Sequence, residues 1–343
     1  MTNGVEYRMG IYVIKPGVLT TIQDMGRFGY QKFGVVAGGA MDTLAYRVAN
    51  ILVGNEEAEA SLEITVVGPI LYFEHAALIA ICGAAFKPMI DGEELPLWRP
   101  VWIEAGQTLH MGSAKQGMRA YIAVAGGFKL PKPMNSYSTY LRAQIGGLEG
   151  RMLKADDVLQ IRPPNERSAK IIDKLKRENK KGDSFASVSW KVSDELLPRY
   201  ALQPVLRVLP GSQFEFFSPE SLQSLFQEPF VVEPQSDRMG YRLKGAALQL
   251  KEARELLSEP VVMGTVQVPS DGNPIVLMAD RQTTGGYPKI AQVISVDLPL
   301  LAQAQIGNPI RFELIDIKEA QRLKMIMDLS LLQLQVTIKM YSL

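Results

Sequence analysis

Residues 264–291 read GTVQVPSDGNPIVLMADRQTTGGYPKIA, a short apolar run set between turn formers and delivered into a loop of polar side chains and paired glycines. Pro274 to Met278 is too short for a helix and is rich in branched residues, so it reads as a buried strand. The same texture recurs in Ile11 to Ile14, Ile70 to Phe73, Leu78 to Cys82, Tyr121 to Ala125 and Val205 to Leu209, most with Gly or Pro within a few residues. With 29 glycines and 21 prolines spread among such segments, the chain is expected to be mainly β. Three stretches, 105–111, 155–161 and 306–313, each place a turn group before an alternating strand and read as hairpin returns that close a barrel. YVIKPG (12–17) and LRVLPG (206–211) give the two halves a similar opening, which points toward a remote duplication.

Few helices are expected. Asp42 can cap a segment in which Leu44, Val48 and Leu52 recur at helical spacing, with Gly54 as its stop. Ser218-Pro219 opens a second that Pro229 ends, and Asp316 with Glu319 forms a capping box before a last helix. Ala320, Leu323, Ile326 and Met327 would give that helix an apolar face toward its own domain. Residues 163–183 crowd charges and read either as a linker or as a short solvated helix from Ala169 to Asn179. The expected division is an N-terminal β-rich domain at 10–162, a linker or excursion at 163–200, and a barrel domain with a C-terminal helix at 201–343.

Composition excludes several classes of function. Across 343 residues, 37 Lys and Arg balance 36 Asp and Glu, a charge of +1 that carries no nucleic-acid footprint. The longest nearly pure apolar run, Ala76 to Phe86, is about half of what a membrane span needs. The opening MTNGVEYRMG shows no secretory signal, so a cytoplasmic location is expected. One cysteine, Cys82, and two histidines, His75 and His110, argue against a disulfide framework, a zinc site or imidazole catalysis, and no metal is expected. No phosphate loop and no dinucleotide fingerprint occurs.

Two stretches concentrate polar groups between glycines. Residues 15–42 hold Lys15, Gln23, Asp24, Arg27, Gln31 and Asp42; Arg27 suits a carboxylate or phosphate, and an Asp24–Arg27 pair pinning a turn reads the same spacing. Residues 264–291 carry Asp280, Arg281, Gln282, Thr283 and Thr284 into Gly285-Gly286, then Tyr287 and Lys289, a loop that can aim amides and hydroxyls at an anion or simply make a tight turn. SDRMGYRLKG (236–245) adds Asp237, Arg238 and Arg242.

TTIQDMGRFGYQKFGVVAGGAMD (20–42), SDRMGYRLKG and residues 266–291 together resemble the biotin-dependent carboxyltransferase family, also called the allophanate hydrolase subunit 2 family, and most of all its stand-alone bacterial members, the C subunits of 5-oxoprolinases. That resemblance implies β-barrel domains with a cyclophilin-like barrel in the C-terminal half. It also implies ATP-dependent opening of 5-oxoproline to L-glutamate, in complex with a B subunit, which is kinase inhibitor-like, and an A subunit. It nominates Gln23, Asp24, Arg27, Asp42, Asp237, Arg238, Gln267, Asp280, Gln282, Thr283, Thr284, Gly286 and Lys289 as site residues. Asp24, Arg27, Asp280 and Lys289 are expected to act in catalysis and the others to bind substrate, with Arg27 or Arg238 on the substrate carboxylate and the Thr283–Gly286 loop with Lys289 on developing negative charge. ATP is expected to be used by the complex. No Met-Lys-Met-type tripeptide is present, so biotin is not expected on this chain. A regulatory protein that counters a histidine kinase inhibitor resembling the B subunit, and a urea or amide carboxyltransferase component, stand as alternatives.

Overall fold

The computed structural model describes residues 10–180, 182–252 and 254–342; residues 1–9, on which the reading of the amino terminus mostly rests, lie outside them. The N-terminal half stacks two six-stranded sheets rather than closing one sheet on itself. One orders Val158–Gln160, Gly10–Lys15, Ile70–Phe73, Gln107–His110, Met89–Ile90 and Glu93–Glu94; the other orders Phe185–Ser187, Pro100–Ile103, Ala77–Ala85, Gln116–Val124, Ser61–Thr65 and Leu19–Gln23. Ile11, Val13, Leu71 and Phe73 of the first sheet meet Ile22, Leu62, Ile64, Ile79 and Ile122 of the second in a shared core.

The strand Ala77–Ala85 shows why its sequence does not alternate. Ile79 and Ile81 face the inter-sheet core, while Leu78, Ala80 and Cys82 face a second core beneath helices. A strand buried on both faces reads as continuous apolar sequence. Cys82 is fully buried there, and burial pushes its thiol up, away from reactivity.

Helix α1 (Thr43–Leu52) lies on that outer face; the Asp42 side chain accepts from the Ala45 amide, and Gly54 just beyond the helix adopts φ +79°. The charge-rich stretch after residue 162 forms α2 (Glu166–Glu178), whose Ile171, Ile172 and Leu175 are buried against the same sheet. The Asn165 amide donates to Gly54 O and Ser168 Oγ to Val53 O, tying α2 to the end of α1. Phe185–Ser187 then adds an edge strand beside Pro100–Ile103. Its charges crowd because α2 turns one face to water, and its few apolar residues fall on the other.

In the C-terminal half, seven strands close a barrel: Val205–Pro210, Lys289–Val293, Thr265–Gln267, Ile275–Leu277, Gly240–Lys244, Phe230–Val232 and Pro309–Leu314. Pro309–Leu314 closes it by pairing in parallel with Val205–Pro210. The other two expected closing returns, Gln107–His110 and Val158–Gln160, instead join the first N-terminal sheet. Their turns obey the same local rules; which edge is free to receive the strand decides the outcome.

Helix α3 (Pro219–Gln227) follows its Ser218 cap, and α4 (Leu298–Ala302) is a single turn and a half. The last helix, α5 (Ile317–Tyr341), runs 25 residues from its Asp316 cap, much longer than the short helices expected. It does not lie on its own half: Leu331 and Ile338 are buried in the core that also holds α1 and α2.

Candidate functional site: a buried seam and the barrel mouth

The nominated residues fall into two groups. The first lies along the seam between the halves. Leu19–Gln23 runs out into Asp24, whose carboxylate accepts from Gly26 N (2.8 Å), Ser136 Oγ (2.7 Å), Ser138 Oγ (2.5 Å) and Tyr137 N (2.6 Å). Arg27 donates to the Ser138 carbonyl (2.9 Å) and the Pro133 carbonyl (3.3 Å). Asp24 and Arg27 thus hold one segment, residues 133–138, from two sides without bonding each other directly. Burial pulls the Arg27 guanidinium down, with Asp24 and Asp280 opposing it. Gly146 sits at φ +74°, and a Cβ there would stand 2.1 Å from the Ser138 carbonyl oxygen and 2.9 Å from Arg27 Nη2.

Across the seam, Arg238 forks onto Asp280, Nε to Oδ2 and Nη2 to Oδ1 at 2.9 Å each. It also donates from Nη2 to Gly39 O (2.6 Å) and from Nη1 to Glu63 Oε1. Only one of its five N–H donors is left uncommitted. Burial alone would lower its pKa, but Asp280 and Glu63 outweigh that and push it up. Glu63 also accepts from Met41 N (2.9 Å) and Tyr121 OH (2.7 Å). Asp42 receives, besides its helix cap, Tyr200 OH (2.6 Å) and Gln303 Nε2 (2.8 Å). Gln303 in turn accepts from Met118 N and Arg119 N at 2.8 Å. Gln23 donates to Thr21 Oγ1 (3.0 Å) and Thr139 O (3.2 Å), and its Oε1 is buried without a partner.

The second group stands where the barrel opens. Lys289 leads its strand with its side chain largely buried, and Nζ pairs at 2.8 Å with Glu259, which lies half exposed and is held below the usual carboxylate range by that contact. Lys289 N donates to Gln213 Oε1 (3.1 Å). Gln267, on the neighbouring strand, is buried and donates weakly to Tyr287 O (3.4 Å); a Cβ on Gly285 would come within 2.5 Å of its amide nitrogen. Thr284–Gly285 pairs with Glu259–Pro260, and Thr283 O accepts from Val261 N (3.1 Å). Gly286, Tyr287 and Pro288 line a cavity of about 620 Å³ with Arg254, Gln249 and Ser270 among its polar walls.

Gln282 and Asp237 are exposed; Asp237 accepts from Met239 N (2.7 Å) and meets Arg142 at 3.4 Å at the surface. The seam therefore gathers Gln23, Asp24, Arg27, Asp42, Arg238 and Asp280, while Gln267, Thr283, Thr284, Gly286 and Lys289 gather at the barrel mouth. Sequence reading passed over Glu63, Gln213, Glu259 and Gln303. Glu63 alone left a trace, as the single charge in the apolar strand SLEIT. Among the described residues no group of three or more His, Cys, Asp or Glu is placed to hold a metal ion, and no helix is long and apolar enough to cross a membrane.

Two facing sheets joined to a closed seven-stranded barrel through a buried charge network define a two-lobed β protein, and comparison places it in a family. A family model described as carboxyltransferase domain, subdomain A and B, matches residues 33–314, and the chain belongs to that family. It is 42% identical over 304 residues to the C subunit of the 5-oxoprolinase of Haemophilus influenzae, covering 89% of this chain and 91% of that one. It is 39% identical over 308 residues to the C subunit of the 5-oxoprolinase of Escherichia coli, covering 90% and 92%. The solved urea carboxylase of Kluyveromyces lactis superposes with a TM-score of 0.85 at 26% identity, over 96% of this chain but only 30% of that one.

Proposed function

We propose that this chain is the C-type subunit of an ATP-dependent 5-oxoprolinase, acting in the cytoplasm with B-like and A-like partner subunits to open 5-oxoproline to L-glutamate. The observation that carries the reading is the two-way match: the chain and the bacterial C subunits cover about nine-tenths of each other, whereas the urea enzymes contain it as a minor part. In this reaction ATP phosphorylates the lactam oxygen, which makes the ring carbon electrophilic. Water then adds there, the C–N bond breaks as the nitrogen takes a proton, and a second water hydrolyses the resulting acyl phosphate to the carboxylate and inorganic phosphate, ADP having left in the first step.

The barrel mouth is the better placed of the two groups to meet the substrate. The seam's carboxylates and Arg238 already satisfy one another, which suits a structural joint. Lys289 has one partner, the half-exposed Glu259, and a substrate carboxylate or a developing oxyanion can replace that partner. Gln267 beside it can orient a lactam amide. The same loop offers a triphosphate little: the Thr284–Gly285 backbone is committed to pairing with Glu259–Pro260, and Arg281 donates to the Val261 and Met278 carbonyls. ATP is accordingly assigned to the partner subunits.

The test is L-glutamate release from 5-oxoproline and ATP by this chain with its B-like and A-like partners, each omitted in turn. Activity should vanish without this chain. Lys289→Met should cut turnover by roughly tenfold or more in an assembled complex of unchanged melting temperature, the scale expected for losing one charged stabiliser. An intact complex with no glutamate release would favour the urea or amide carboxyltransferase reading, which the likeness to urea carboxylase supports.

A further inference from the structure

We propose that Lys289 Nζ and the side-chain amide of Gln213 together form a carboxylate subsite, that Glu259 fills it as an internal ligand in the free chain, and that the carboxylate of 5-oxoproline binds there by displacing Glu259. The inference rests on the reading of this chain as a 5-oxoprolinase subunit and deepens it, by naming the group that the substrate pushes aside.

The cradle is built from two buried polar side chains, Lys289 and Gln213, each 8% exposed. Two reciprocal bonds lock them together: Lys289 N donates to Gln213 Oε1, and Gln213 N donates to Lys289 O, both at 3.1 Å. Gly211, two residues before Gln213, packs so closely that a Cβ there would stand 2.2 Å from the Lys289 carbonyl oxygen. Ser212 Oγ also donates to Gln213 Oε1 (3.0 Å), so the oxygen of that amide is spent and its NH2 is the end left for a ligand.

That ligand is a carboxylate. Glu259 meets Lys289 Nζ at 2.8 Å, and the Gln213 side chain bonds the same group. A charged and a neutral donor converging on one carboxylate make a recognition site for that group. Glu259 is not one of its walls: its side chain is 52% exposed, and it stands in the exposed two-residue strand Glu259–Pro260. Rotated into water, Glu259 loses only a partly exposed ion pair, whereas the buried Lys289 still needs a counter-charge. A carboxylate arriving from solution supplies it. Gln267 stands opposite Lys289 in the strand register. Because 5-oxoproline carries its carboxylate beside the ring nitrogen, seating that carboxylate on Lys289 and Gln213 brings the lactam amide toward Gln267.

Glu259 is therefore a competitor of the substrate, and calorimetric titration of 5-oxoproline into the complex of this chain with its B-like and A-like partners, without ATP, tests this. Glu259→Gln should bind 5-oxoproline about two- to fivefold more tightly than the wild type, the gain from no longer breaking a partly exposed ion pair. An ion pair that served stability alone would give no such gain. Gln213→Glu keeps an acceptor for Lys289 N but replaces the donor with an oxygen that repels a carboxylate, and should weaken binding roughly tenfold or more. 2-Pyrrolidinone, the same ring without the carboxylate, should show neither difference. Glutamate release by the wild-type complex once ATP is added tests the reading beneath. An active complex in which Glu259→Gln binds 5-oxoproline no more tightly, in which Gln213→Glu binds it as well as the wild type, or in which both ligands change together would overturn the subsite and leave that reading standing. A complex that neither releases glutamate nor binds 5-oxoproline would overturn both.

Discussion

Arg238 joins three strands that are remote in sequence: it follows the turn at Asp237, forks onto Asp280 at the end of the barrel strand Ile275–Leu277, and reaches Glu63 in the N-terminal half. All three charged side chains are buried, so removing the guanidinium leaves two carboxylates without a counter-charge in a place that water does not reach. Breaking one side of a buried ion pair costs about 3–5 kcal/mol. Arg238→Met should therefore lose stability on that scale in urea unfolding, whereas Asp237→Asn next to it, at the surface, should stay within about 0.5 kcal/mol. The sequence flagged Arg238 and Asp280 because polar residues between glycines stand out in a β-rich chain. It did not flag their third partner, since one glutamate in a strand looks like an ordinary outward-facing residue until the opposite half is in place. Nor could residue type tell Asp24, saturated by four hydrogen bonds, from an acid free to act on a substrate.

Caps and stops were legible at the scale of single elements because they are settled within four residues. Asp42, Ser218 and Asp316 each accept from the amide three positions on, as their spacing indicated. What α5 packs on was not legible, since its periodicity supports more than one apolar face and the choice between them lies outside the helix. The expected face from Ala320 to Met327 ends where the true contact begins: α5 buries Leu331 and Ile338 against α1 and its neighbours, and Tyr341 meets Trp190 edge-on at 5.4 Å. A helix that follows the barrel in sequence thus closes the core of the other half. Leu331→Ala should cost about 2–5 kcal/mol, the range for truncating a buried leucine. Its signature should appear far away in sequence, as faster hydrogen exchange of the α1 amides from Thr43 to Leu52, with the barrel amides little changed. Faster exchange confined to the barrel would contradict this assignment of α5.

For the whole molecule, the question is whether two halves with separate cores unfold as one. Met41 of the N-terminal half is buried in the barrel core, the polar seam crosses between the halves at several points, and Gln303 has the most to do there. From the barrel half its Oε1 accepts Met118 N and Arg119 N, and its Nε2 donates to Asp42 Oδ2 and Arg119 O, all at 2.8 Å. One side chain satisfies the unpaired backbone of the strand Gln116–Val124 where that strand's register shifts against Ala77–Ala85. It also shares with Tyr200 the task of holding the Asp42 carboxylate, whose pKa burial pushes up against those same hydrogen bonds. Removing the amide would orphan two N–H donors and weaken the hold on a buried acid, and each buried unsatisfied group costs about 1–3 kcal/mol. Because the loss falls on the joint and not on either core, Gln303→Ala should do more than lower the melting temperature. Differential scanning calorimetry should resolve one cooperative transition in the wild type into two in the variant, the N-terminal sheets and the barrel melting apart. The α5 contact would remain as a further tie beside the Arg238 bonds, so combining Gln303→Ala with Leu331→Ala should widen the gap between the two transitions beyond what either change produces alone. A single transition in the double variant would mean that the halves are coupled elsewhere, and that the seam positions the barrel mouth without holding the molecule together.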